Sequence, residues 1–475
     1  MSVSDQTITK TLSVKEKMKV ITILAFPAVI ENFFQTALGF VDTFFVAHLG
    51  LIEVSAVGLT NAILAIYFAI FMAVGVGVNV LMANSIGAGK PERAAHIAQQ
   101  SIILASIIGI ITGIVTLLFA ENLLRLMGVE EEVLSAGVLY FRIVAIPSIL
   151  MSLMFVMSSI LRGAGDTKSP MKVSIIANLI NAVLDYVLIF GLLFIPAFGL
   201  AGAAIATVIS RLVGVVLLGL YIKKNSSITF RKEDWSFDKQ HQIELLNLGT
   251  PAAGERLAMR IGQIVYFGFI VKLGTNTFAA HQIAGNIEVF SYMIGYGFAT
   301  AATILVGKQI GSGNREEAKS YAKLTTMITV GFMAFLGLGL FFLGEWAGKF
   351  FTTDKTVIEE IGIALKISAV FQPFLAVVLI LTGAYQGANN TKYPMYLTTV
   401  GMWVVRTGLV YLLAIQFNMG IAGVWIAIGV DIAFRAVVLW IRMEKGKWIS
   451  KTKDKTSPCH PKTKQPKLDD CVNNY

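Results

Sequence analysis

Twelve stretches of this chain are each long and apolar enough to cross a lipid bilayer. They run over residues 20–46, 55–82, 97–119, 133–160, 173–193, 201–222, 243–270, 277–304, 320–343, 357–384, 395–416 and 420–442. A helix rises about 1.5 Å per residue, so about 20 apolar residues span a hydrocarbon core of about 30 Å. Inside that core no water satisfies backbone N–H and C=O groups, so spans of this length must be helical. An all-α membrane protein of twelve transmembrane helices is the fold this pattern predicts. Composition agrees: 55% hydrophobic and only 14% charged residues, with mean hydropathy +0.71, exclude an ordinary soluble domain.

A net charge of +10 raises nucleic acid as a partner, and the positions of the bases decide against it. Lys90 and Arg93, then Arg162, Lys168 and Lys172, then Lys223, Lys224, Arg231, Lys232 and Lys239 fall in loops on the side of both termini. Lys308, Arg315, Lys319, Lys323 and Lys392 fall there too. The opposite loops hold little beyond Arg125, Lys272, Lys349 and Lys355. The positive-inside rule then makes this a multi-pass cell-membrane protein with both termini cytoplasmic, its partner the bilayer and not nucleic acid. The first span is too long and polar to be a cleaved signal, so it stays. Cys459 and Cys471, with His460, lie in a polar tail that reads as neither a disulfide framework nor a metal site.

The chain repeats itself at a shift of 224 residues. Pro27 and Glu31 return as Pro251 and Glu255, and Leu49-Gly50 as Leu273-Gly274. Ile86-Gly87-Ala88-Gly89 returns as Ile310-Gly311-Ser312-Gly313, and Thr167-Lys168 with Pro170-Met171 as Thr391-Lys392 with Pro394-Met395. After a contraction of three, Gly199-Leu200-Ala201-Gly202 pairs with Gly420-Ile421-Ala422-Gly423. Two six-span copies entering from one side are parallel repeats, the architecture of transporters whose lobes rock about a central cleft. The expected organisation is a cytoplasmic N-terminus over 1–19, an N-lobe over 20–222, a cytoplasmic linker over 223–242, a C-lobe over 243–443 and a cytoplasmic tail over 444–475. The glycine loops after spans two and eight lack the Gly-Lys-Ser/Thr ending of a phosphate loop, so no nucleotide or other cofactor is expected.

The repeat also filters the charges inside the spans, because a polar residue present in one half alone is the better candidate for chemistry. Pro27 and Glu31 recur. Asp42 does not, its partner position being Tyr266, and Asp185 meets no acid between Arg406 and Leu409. Asn178, Asn181 and Asp185 are three and four apart and share one helical face. Asp42 and Asp185 both fall in the outer half of their spans, so together with Asn178 and Asn181 they form the candidate cation-coupling site. Pro27 lacks an N–H and should bend the first helix. Glu31, Glu255, Glu288 and Tyr266 are candidate substrate contacts. Asp431 and Arg435, four apart, are expected to pair, with Arg406 as a sharer. His281 reads as packing, and the five histidines are scattered along the chain, which argues against an enzyme.

Val41-Asp42-Thr43, the Ile86-Gly87-Ala88-Gly89 loop, the Arg162-Gly163-Ala164-Gly165-Asp166-Thr167 turn, Gly202-Ala203-Ala204 and Ala279-Ala280-His281-Gln282-Ile283 resemble the multidrug and toxic compound extrusion (MATE) family. The resemblance covers about residues 20–443. It implies two six-helix lobes around a cleft, and export of cationic, amphipathic drugs in exchange for protons or sodium, by a functional monomer. The functional acids of the proton-linked prokaryotic branch match Asp42, Asp185 and Asn181, and Pro27 matches its bending proline. The sodium-linked branch carries an acid in span ten, where this chain offers Lys366 and Gln372. Sodium-coupled drug antiport and a lipid-linked saccharide flippase of the same superfamily are the alternatives. The 31 Phe, 17 Met and 13 Tyr suit an adaptable surface for hydrophobic cations.

Overall fold

A computed structural model describes residues 12–128, 130–192, 195–228, 230 and 235–449. Cys459, His460 and Cys471 lie outside these residues. The described chain is helical from α1 (Val14–Ala47) through α2 (Leu51–Gly87), α3 (Pro91–Arg125), α4 (Glu131–Ala145), α5 (Ser148–Ala164), α6 (Lys168–Phe190) and α7 (Leu200–Lys224). It continues with α8 (Lys239–Val271), α9 (Thr275–Gly311), α10 (Arg315–Gly348), α11 (Lys355–Gly387), α12 (Lys392–Val400), α13 (Thr407–Leu409) and α14 (Gly420–Glu444).

Ten of these helical runs are long and apolar enough to cross a membrane, and α4 with α5, bent by 48°, makes an eleventh. The remaining run, α8, has 33 residues and is more polar, with Glu255, Arg256 and Arg260 on it. Pro147 explains the bend between α4 and α5, since it has no N–H for the preceding turn and its ring obstructs that turn. The first helix, by contrast, runs unbroken through Pro27. Residues 401–406 and 410–416, flanking α13, are wound as π-helix, so the eleventh span departs from its α-helical counterpart α6.

Helix starts repeat at the shift read from the sequence: Leu51 and Thr275, Pro91 and Arg315, Glu131 and Lys355, Lys168 and Lys392 are each 224 apart. Apolar side chains cover the outer faces. Leu118, Phe335 and Phe342 are exposed by more than half, as a surface that meets acyl chains permits.

The two halves meet through a glycine seam. A methyl group on Gly87 would strike the backbone of Lys308, and one on Gly311 would strike the backbone of Asn84. These contacts are equivalents, because 84 and 308, like 87 and 311, are 224 apart, and such reciprocity is what a two-fold relation between the lobes produces. Gly77 lies against Leu245, Gly249 against Ala73 and Gly297 against Val29. Lys17 joins the seam by an ion pair to Glu317 at 2.7 Å and a hydrogen bond to Ser320 at 2.9 Å. All of these contacts fall in the half of the molecule that carries both chain ends. The double substitution Gly87→Ala, Gly311→Ala should therefore weaken closure of this end by about 1–3 kcal/mol. Spin labels on the loops after α2 and α9 should report a wider mean separation, and an unchanged distance distribution would contradict the seam.

Candidate functional site

Asp42 and Asp185 each stand five residues before the end of their helix, α1 at Ala47 and α6 at Phe190. The two helices run in the same direction, so equal distances from their ends set the carboxyls in one layer. Gln35 donates to Ser174 at 3.4 Å, and Phe45 packs edgewise on Phe190 at 6.2 Å, which zips the helices together on either side of that layer. The carboxyls of Asp42 and Asp185 come close enough to interact. Asp185 is wholly buried, and neither of its oxygens has a hydrogen-bond partner among the described residues; the same holds for Asp42 Oδ1 and Asn181 Nδ2. Asn178 is half-buried and donates to Ser174 at 3.4 Å, on the same face but nearer the chain-end side.

Two groups from other helices complete the cluster. Arg211 of α7 and Tyr140 of α4 lie within electrostatic reach of the acids. Arg211 is anchored by donating from Nη1 to the Val144 carbonyl at 3.3 Å, in the last turn before the break at Pro147. That break ends the helical ladder there and turns a backbone carbonyl into an acceptor for the guanidinium.

The other intramembrane acids are partnered. Glu31 accepts from Arg162 at 2.8 Å, so it clamps α1 to the end of α5. Glu255 accepts from Thr398 at 2.9 Å. Glu288 accepts from Ser368 and from Gln372, the latter at 3.1 Å. Asp431 takes Arg406 at 2.8 Å and Arg435 at 2.9 Å, the shared pairing expected from spacing. Gly401, in the first π-helical stretch, leaves room for this ion group, since a Cβ there would strike Asp431 and Arg435. Tyr266 is buried under the Arg406 guanidinium, 5.8 Å from its ring centroid. His281 is packed among Tyr266, Phe267 and Trp425. In the C-terminal half, Glu255, Glu288 and Asp431 thus share space with Arg256, Arg406 and Arg435, acid for base. In the N-terminal half, Glu31, Asp42 and Asp185 face only Arg162 and Arg211 among the described residues.

The MatE family model matches residues 27–187 and again 251–412, the same repeat read from the residues. The chain belongs to the multidrug and toxic compound extrusion family. It is 33% identical over 439 residues to a probable multidrug resistance protein NorM of Thermotoga maritima, covering 92% of this chain and 94% of that one. A MOP superfamily transporter from Pyrococcus furiosus, described as having a binding pocket of reverse polarity, superposes with TM-score 0.84 at 26% identity, over 91% of this chain and 96% of that one. A multidrug resistance MATE family transporter in an outward-facing conformation gives TM-score 0.85 at 26% identity, over 91% and 96% of the two chains.

Reading this MATE chain for acids alone missed Arg211 and Tyr140. A signal for Arg211 was present: a base in the middle of an apolar span whose counterpart, at the shift of 221 that pairs Gly199 with Gly420, is Ile432. Tyr140 offered none, since a tyrosine in a membrane span is unremarkable until its neighbours are known. The two kinds of buried acid should respond oppositely to neutralisation. Asp431→Asn leaves two buried guanidiniums short of a partner and should cost about 3–5 kcal/mol. Asp185→Asn removes a desolvated charge that stands beside the like charge of Asp42 and should leave stability unchanged or higher. Thermal unfolding of the purified variants in detergent checks both directions.

Proposed function

We propose that this protein is a multidrug efflux antiporter, not an enzyme, that exports hydrophobic cationic or weakly basic drugs in exchange for protons by alternating access. The observation that carries this reading is the pairing of half-buried Asp42 with buried Asp185 in one layer, where both oxygens of Asp185 and Oδ1 of Asp42 meet no hydrogen-bond donor among the described residues. Two carboxylates in a desolvated space repel, and one guanidinium offsets one of them, so one monovalent cation completes the balance. The C-terminal half, acid for base, makes no such demand. Family membership supports the drug substrates, and the likeness to an outward-facing MATE structure supports the conformational reading.

With both termini cytoplasmic, the glycine seam closes the inner end and Asp42 and Asp185 sit in the outer half, within reach of external protons. Protonation removes the charge that opposes closing this layer, and Pro27, buried in α1, is the point at which the helix bends in response. Glu31, Glu255, Glu288 and Tyr266 lie toward the interior of the lobes as candidate drug contacts. The N-lobe over 20–222 and the C-lobe over 243–443, joined by the linker over 223–242, move as the two rocking bodies, and the protein works as a monomer. A returning proton gains about 2.3 kcal/mol per 100 mV, enough for roughly a 40-fold gradient of a neutral substrate at about 1.4 kcal/mol per tenfold, whereas one-for-one exchange with a monovalent cationic drug cancels that electrical term and leaves the pH difference as the drive.

In vesicles, an imposed pH gradient in sodium-free buffer should drive movement of a cationic dye, and an absolute requirement for sodium would refute proton coupling. Asp42→Asn and Asp185→Asn should each reduce dye movement to the level of protein-free vesicles while dye binding persists. Pro27→Ala should keep binding and lower the transport rate; an unchanged rate would remove the bend from the mechanism.

A further inference from the structure

The histidines are not all scattered in space. His96 of α3 and His241 in the first turn of α8 stand with ring centroids 4.5 Å apart, 145 positions apart in sequence. Asp238, which caps α8, lies between them. Its Oδ2 is 2.8 Å from His241 Nδ1 and 3.2 Å from His96 Nε2. All three ligand atoms lie within 4.8 Å of one another, and each residue is partly exposed. With zinc–nitrogen and zinc–oxygen bonds of about 2.1 Å, two ligand atoms of a tetrahedral site stand about 3.4 Å apart. The Asp238–His96 separation is about 0.2 Å shorter than that and the Asp238–His241 separation about 0.6 Å shorter, so a modest opening of the triad admits the ion.

We propose that His96, Asp238 and His241 form a binding site for a divalent transition-metal cation of the zinc class, which clamps the start of α8 to α3. Two imidazoles and a carboxylate suit zinc, cobalt or nickel and exclude calcium and magnesium, which require oxygen ligands. Water takes the fourth position. His96 binds through Nε2 and keeps its proton on Nδ1; His241 binds through Nδ1 and moves its proton to Nε2.

The site is supported from behind. Asp238 Oδ1 accepts from the backbone N–H of Gln240 at 2.9 Å and of His241 at 3.3 Å, which leaves Oδ2 directed at the rings. Gln100, one turn beyond His96, accepts from the Asp238 backbone N–H at 3.0 Å and donates to the Ser236 carbonyl at 2.6 Å. Such outer contacts orient ligands and account for about ten- to hundredfold in metal affinity.

The position gives the ion a role. The first half of α8 packs on the N-terminal half of the molecule, with Gly249 against Ala73 and Leu245 against Gly77, while its second half packs on the C-terminal half, with Gly262 against Met402. An ion joining α3 to the first turn of α8 binds best while that end is closed, and a ligand that prefers one state shifts the population toward it.

The test uses the full chain carrying Cys459→Ser, His460→Ala and Cys471→Ser, which removes the tail's own donors. Zinc titrated by calorimetry should bind at one ion per chain and raise the melting temperature, and cobalt should give the visible absorption of a tetrahedral site. His96→Asn with His241→Gln should weaken zinc binding at least about a hundredfold, and Gln100→Ala about ten- to hundredfold. Asp238→Asn retains the helix cap and so keeps the fold while losing the anionic ligand; it too should abolish the zinc-dependent rise in melting temperature. Zinc bound equally by these variants, or no zinc bound by the parent chain, would overturn the site. Spin labels across the seam should show zinc narrowing the distance distribution in the parent alone, and an unchanged distribution would overturn the clamp.

Discussion

A charge removed from water must find a partner, and in a molecule surrounded by hydrocarbon this constraint organises nearly every polar residue. Asp431 satisfies it with two arginines, and the π-helical winding around Gly401 gives that group its space. Glu31 satisfies it with Arg162, Glu255 with Thr398, Glu288 with Ser368 and Gln372. Against that background the Asp42 and Asp185 pair stands apart, because the two carboxyls interact with each other and with a single guanidinium, that of Arg211. The imbalance is confined to one layer of one half. The proposed exchangeable cation rests on that imbalance.

The lobes depend on a second constraint, the close approach of helix backbones. Without a hydrophobic drive between helices in lipid, contact is gained by packing small residues. Gly77, Gly87, Gly249, Gly297 and Gly311 all lie on faces where a side chain would collide with the opposing helix. These contacts are short and confined to the end that bears the termini. The far half of the molecule, with Asp42, Asp185 and Tyr266, is not held by them. A seam of this kind closes one end firmly and still releases, whereas interlocked large side chains would not.

Helix number, repeat and the acids without a counterpart in the other half were legible in the sequence because each has a one-dimensional signature. Apolar length announces a span, a fixed shift of 224 announces a duplicated lobe, and an acid without a counterpart announces a departure from the scaffold. The equal depth of Asp42 and Asp185 followed from counting along two parallel helices. What sequence could not supply was the partner of each charge. Glu288 had no base near it along the chain, and its hydroxyl and amide donors come from α11. Arg211 reaches the acid layer because Pro147 breaks a different helix and frees the carbonyl that anchors the guanidinium. His96 and His241 read as scattered until α3 and the first turn of α8 were brought side by side.

By itself, then, the sequence determined that this chain spans a membrane in duplicated six-helix halves and which acids it carries without duplication, since hydropathy and repetition are properties of order along the chain. Only the tertiary structure decided which of those acids are neutralised by neighbours, where the halves touch, and which histidines meet. Those depend on helix packing between residues more than a hundred positions apart, and no local pattern encodes them.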